Sequence, residues 1–141
     1  MGIYRNLPRT INSTADRLRH DLVSSGQFIQ ASVTAVPVSA SEEGGDWMIT
    51  IQVDGSALDP LVIHSFDYAN DEEEERLVGR LADQLQDDIA EDRYLMWPLC
   101  PAHNCPLQVQ RRDRWGDAEW LCERDQAHWR IGDLPRSQSW L

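Results

Sequence analysis

Apolar residues recur at Ala15, Leu18, Leu22 and Val23, with Ser13 ahead of them, Asp16 three residues after the serine, and Gly26 just beyond. That spacing predicts a helix with a capping-box-like start at Ser13 and a glycine stop. Ile29, Ala31, Val33 and Ala35 then alternate with Gln30, Ser32 and Thr34, as a half-buried strand does, and Pro37 closes that strand or places it at an edge. Ser39 to Asp46 reads as loop. Trp47, Ile49, Ile51 and Val53 repeat the alternation, Asp54-Gly55 supplies a turn, and Leu61 to Phe66 forms a short third strand. Asn70 caps a second helix whose first turn is the acidic run Asp71 to Glu75 and whose buried stripe is Leu77, Val78, Leu81, Leu85 and Ile89. The order α-β-β-β-α predicts an α+β body with an antiparallel sheet, two helices covering one of its faces. Acids in a first helical turn oppose the positive end of the helix dipole, so the run is read as stabilising its helix rather than as a cation site or a mimic of phosphates.

Composition places this pattern in a folded globular chain. Its 141 residues suit a core of ordinary size, and 41% hydrophobic against 26% charged residues argues against wholesale disorder or a rod. The basic residues are all arginine, which removes Schiff-base lysine chemistry and the lysine of a phosphate-binding P-loop. A formal charge of -11 repels phosphate backbones and anionic lipid, so nucleic acid and membrane are disfavoured partners. Neither a secretory leader nor a membrane span is legible, and three cysteines fit reduced thiols or a metal in a cytoplasmic setting better than a disulfide framework.

Charge and tryptophan divide the chain in opposite senses. Residues 1–95 hold 7 arginines and 18 acids, while residues 96–141 hold 6 of each. Five of the 6 tryptophans, Trp97, Trp115, Trp120, Trp129 and Trp140, fall in the second stretch. Two units are therefore expected, an acidic α+β body over 1–95 and a Trp-rich module over 96–141, packed together because no Gly/Ser or Pro linker separates them.

The chemistry concentrates in the module. Cys100-Pro101-Ala102-His103-Asn104-Cys105 places a Cys-x-x-His pair in one tight turn, and Cys122 and His128 follow after a polar stretch. Zinc takes four sulfur or imidazole donors in a tetrahedron, and a knuckle of this spacing provides two of them. Strands over Leu107–Arg111 and Trp115–Leu121 would form a hairpin that returns Cys122 to Cys100 and His103. Cys105 and His128 compete for the fourth place, Cys105 ranking slightly ahead, and Asp125, three residues after Cys122, is a further candidate. A module this small needs a staple, and a structural zinc supplies an apparent ~10–16 kcal/mol in small zinc-finger peptides. His20 and His64 read as structural residues. Arg111, Arg112 and Arg114 beside Trp115 suit a nucleic-acid ribbon, but Asp113 and Asp117 interrupt the patch.

The stretch CPAHNCPL, then WLC, then IGDL at residues 131–134 resembles a short zinc-ribbon-like tail found in small uncharacterised actinobacterial proteins, of the pattern Cys-Pro-x-His-x-His-Pro-Leu, Trp-x-Cys, Ile-Gly. The resemblance marks Cys100, His103, Cys105 and Cys122 as matched positions, with cysteine in place of histidine at 105. It implies zinc and no activity. Signatures of zinc deaminases, His-Glu-x-x-His metalloproteases and Gly-x-Ser-x-Gly hydrolases are all missing from the sequence, so no enzyme is expected. The leading expectation is a protein-interaction module with structural zinc and a basic protein partner. Alternatives are an acidic dimer similar to small secretion chaperones, by the order of elements and the charge, and a nucleic-acid-binding zinc ribbon.

Overall fold

The computed structural model of the chain describes residues 7–38, 46–64, 74–111 and 116–136. The expected helix cap at Asn70, the strand end at Phe66, the loop over 39–45, and Arg112, Arg114, Trp115 and Trp140 lie outside the described residues.

Helix α1 runs Leu7–Ser24, starting well before the expected cap. Pro8 sits in its first turn, where a missing N–H costs nothing, and Ser13 lies inside the helix, its hydroxyl donating to Glu74 Oε2 at 3.2 Å. Ile11, Ala15, Leu18 and Leu22 form the apolar stripe. A second, polar stripe of Thr10, Thr14, Arg17 and Asp21 is buried beside it, so the helix is covered on two faces. Gly26 ends the helix as expected, with φ 73°.

Strand β1 (Ala31–Pro37) pairs antiparallel along its whole length with β2 (Trp47–Val53), from Ala31 opposite Val53 to Pro37 opposite Trp47. Ile29, expected in this strand, is 92% exposed and precedes it, its N–H donating to Asp54 Oδ1 at 2.7 Å. Asp54 and Gly55 both take positive φ, 50° and 85°, the turn geometry that matches strand twist in a tight hairpin. The expected third strand is split into β3 (Ser56–Ala57) and β4 (Leu61–Ile63), which pair with opposite ends of β2. Ile49, Ile51, Val53, Leu61 and Ile63 point to the helices and are fully buried. Helix α2 (Glu74–Arg93) closes the layer with Leu77, Val78, Leu81, Leu85 and Ile89, the stripe read from the sequence. The fold is α+β, as the order of elements predicts.

Strands β5 (Gln108–Arg111), β6 (Ala118–Leu121) and β7 (His128–Arg130) form a second antiparallel sheet with β6 in the middle. The sequence predicts two strands here; the third forms because the turn after Cys122 sends the chain back along β6. Buried apolar residues of both chain segments make one cluster, in which Trp97 and Trp120 meet edge to face at 5.3 Å beside Leu22, Leu85 and Ile131 as fellow members.

Buried charge ties the second sheet to the helices. Arg17 donates to Ile131 O at 2.7 Å, to Glu74 Oε2 at 2.8 Å, and to both oxygens of Glu75 at 2.8 and 2.9 Å. Glu75 also accepts from Arg130 at 2.9 Å and from the Ala118 N–H at 2.9 Å. Burial works against its charged form, yet the hydrogen bonds from Arg17 and Ala118 and the charges of Arg17 and Arg130 win, lowering its pKa to about 2. Asp21, whose side chain is 0% exposed, accepts from Trp120 Nε1 at 2.7 Å, Gly132 N at 2.6 Å and Leu134 N at 3.1 Å. Gly132 takes φ 108°, and a Cβ there would meet the Arg17 side chain at 2.8 Å, so only glycine lets this turn sit on α1.

Candidate metal centre

Two short turns build the site. In the first, the Cys100 N–H donates to Cys105 O at 2.7 Å and the Asn104 N–H to Cys100 O at 2.9 Å. Asn104 takes φ 57°, the left-handed conformation that asparagine tolerates best among residues with a Cβ. The loop is thereby folded so that Cys100, His103 and Cys105 all face inward. Strands β5 and β6 then carry the chain out and back, and Cys122 directly follows β6. The hairpin geometry thus delivers the distant cysteine, as its spacing suggests.

One donor atom from each of Cys100, His103, Cys105 and Cys122 lies within 4.8 Å of all the others. His103 Nδ1 is 3.6 Å from Cys100 Sγ and 3.5 Å from Cys122 Sγ, and Cys105 Sγ is 3.6 Å from Cys122 Sγ. Cys100 and Cys122 are buried, whereas His103 and Cys105 are half-buried. The group can hold a metal ion.

The thiols differ in their environments. Burial pushes the Cys105 thiol up, reinforced by the hydrogen bond to Cys122 and the charges of Cys122 and Cys100. Cys122 is lowered although burial opposes it, because the backbone N–H groups of Asp125 and Arg124, with His103 and Cys105, favour its thiolate.

His128 is not brought to this group. It lies exposed at the start of β7, paired with Leu121, and shares a face of the sheet with Glu119, with Nδ1 3.1 Å from Glu119 Oε2, whereas Cys122, the residue after Leu121, points to the other side. Asp125 is nearer, with Oδ2 3.7 Å from His103 Nε2. His20 Nδ1 is 2.9 Å from Asp21 Oδ1, and His64 Nδ1 is 3.1 Å from Asp46 Oδ2. Sequence reading missed the Arg17, Asp21 and Glu75 network that seats the module. Its trace in the sequence is the helical spacing of Thr10, Thr14, Arg17 and Asp21, offset by one residue from the apolar stripe.

No protein-family model matches the chain, and no curated protein or solved structure matches it significantly. Among the described residues, no helix is long and apolar enough to cross a membrane.

Proposed function

We propose that this chain is a protein-interaction module whose second sheet is a zinc-ribbon-like unit, stapled by one structural zinc on Cys100, His103, Cys105 and Cys122. The observation that carries the reading is the spacing of the donors. Tetrahedral zinc, with Zn–S near 2.3 Å and Zn–N near 2.0–2.1 Å, requires about 3.8 Å between sulfurs and about 3.6 Å between sulfur and nitrogen. The separations of 3.6, 3.5 and 3.6 Å meet that requirement. Three sulfurs and an imidazole suit zinc, and four protein donors fill its tetrahedron, which supports a structural rather than a catalytic metal. Free thiols of this kind persist in a reducing compartment such as the cytoplasm.

A basic protein partner is supported by the outer face of α2. Asp83, Asp87 and Glu91 stand exposed at successive helical turns, with Asp59 close enough to act on Asp88. The Asp88 carboxyl is raised by burial and by the charges of Asp59, Glu91 and Asp87, a concentration of negative charge that a cationic surface would relieve. Elemental analysis of protein purified without chelator tests the metal. One zinc per chain is expected in the wild type and in His128→Ala, with loss in Cys100→Ser and Cys122→Ser. A wild-type protein free of zinc overturns the reading. The partner is tested by capture from lysate: recovered proteins should be basic and should be lost on Asp83→Lys/Asp87→Lys or in high salt, and insensitivity to both refutes an acidic docking face.

A further inference from the structure

The turn after Cys122 repeats the turn after Cys100. Its Cys122 N–H donates to Ala127 O at 2.8 Å and its Gln126 N–H to Cys122 O at 2.8 Å, reproducing the Cys100-to-Cys105 and Asn104-to-Cys100 bonds of 2.7 and 2.9 Å. Gln126 takes φ 65°, the counterpart of Asn104 at 57°. Residue for residue, Cys122 matches Cys100, Gln126 matches Asn104, Ala127 matches Cys105, and Asp125 stands where the first turn places His103. A ligand position has been built twice and filled the second time by a carboxylate.

That carboxylate divides its two oxygens. Oδ1 accepts the Ala127 N–H at 3.0 Å, which fixes the side chain within its own turn, and Oδ2 lies 3.7 Å from His103 Nε2. The other imidazole nitrogen, Nδ1, is the one lying 3.6 and 3.5 Å from the sulfurs of Cys100 and Cys122. An imidazole that gives Nδ1 to a metal keeps its proton on Nε2, and a carboxylate facing Nε2 holds the ring in that tautomer and orientation. With Cys105 supplying the fourth donor, Asp125 is left outside the tetrahedron.

We infer that Asp125 is a positioning residue for the metal centre: its carboxylate, 3.7 Å from His103 Nε2 and so acting through its charge rather than a direct hydrogen bond, favours the proton on Nε2 so that Nδ1 is presented to the metal. The inference rests on the zinc reading above, and the wild-type arm of its test separates the two.

The test uses the full chain loaded with zinc, and in parallel with cobalt(II), in wild type, Asp125→Asn and Asp125→Ser. Both substitutes retain one oxygen for the Ala127 N–H and so keep the turn, but lose the negative charge facing His103. Competition with a chromophoric chelator should show zinc held about 10–100-fold more weakly in both variants, the usual cost of removing such an outer partner. Nitrogen-15 spectra of the zinc form should show Nε2–H of His103 in the wild type, with faster proton exchange in the variants. The intense visible bands of tetrahedral cobalt should persist in all three. Unchanged affinity and exchange in Asp125→Asn would overturn the positioning role. Loss of the tetrahedral bands in both variants would overturn it differently, by making Asp125 a ligand. A wild type that takes up neither metal defeats the zinc reading itself.

Discussion

Replacing Glu75 with glutamine tests whether buried charge fastens the second sheet to the helices. The carboxylate joins α1 through Arg17, β6 through the Ala118 N–H and β7 through Arg130. Its side chain is 18% exposed and that of Arg17 is 8% exposed, so solvent screens the pair weakly. A fall from 4.5 to about 2 in its pKa amounts to roughly 3 kcal/mol at ~1.4 kcal/mol per unit. Glu75→Gln keeps some hydrogen bonds, and Arg17 retains Glu74 and Ile131 O, so a loss of about 2–3 kcal/mol at pH 7 is expected, toward the low end for breaking a buried pair. The folded-state pKa is depressed, so the stabilisation is complete above pH 4.5 and disappears as pH falls toward 2, about half of it gone near pH 3. Urea denaturation of wild type and variant at pH 7, 4 and 3 measures this. Any metal held by Cys100, His103, Cys105 and Cys122 would leave both proteins alike as those side chains protonate, and the difference between their stabilities isolates the carboxylate. A difference below about 0.5 kcal/mol at pH 7, or one equally large at pH 3, would refute the reasoning, since surface pairs are worth that little and a pH-independent loss would come from packing.

Two further substitutions probe the same junction. Asp21→Ala removes the acceptor of Trp120 Nε1, Gly132 N and Leu134 N, and at about 1–3 kcal/mol for each buried donor left without a partner it should cost at least 3 kcal/mol in urea denaturation and diminish the near-ultraviolet circular dichroism of the packed tryptophans. Gly79→Ala on α2 should stabilise by about 0.5–1 kcal/mol, since the added methyl meets Ala118 Cβ at 3.5 Å and Val109 Cγ1 at 3.9 Å, ordinary contacts, and alanine loses less backbone entropy than glycine in a helix; a lowered melting temperature would show the helix and second sheet to be closer than these distances.

Local patterns were readable wherever a single physical rule governs them. The apolar stripe of α2 and the alternation of β2 follow from burying one face of a regular element, Trp47 half-buried and the other residues of both patterns buried, and the glycine stop of α1 follows from the positive φ that Gly26 takes. Knuckle spacing is equally local, because a Cys-x-x-His turn brings two donors together by chain geometry alone. Other features had no such rule. Helix α1 starts at Leu7, ahead of Ser13, and the Ser13 hydroxyl finds its partner in Glu74, 61 residues away, rather than capping its own helix. The split third strand and the additional β7 depend on how turns route the chain, which strand propensity does not encode.

Which donors belong together required the fold. Cys105 and His128 are comparable ligands in chemistry and spacing, and only the return of β6 to the first turn puts Cys105 beside Cys122 at 3.6 Å while β7 carries His128 to Glu119. The acids at the start of α2 read as complements to a helix dipole, yet Glu75 also faces two arginines from remote elements. Residue type and order therefore sufficed for the elements and for the first half of the metal group, since those depend on neighbours a few positions apart. The fourth donor and the buried ionic junction arise from contacts across the whole chain, where packing sets which polar atoms lose water together and must satisfy one another.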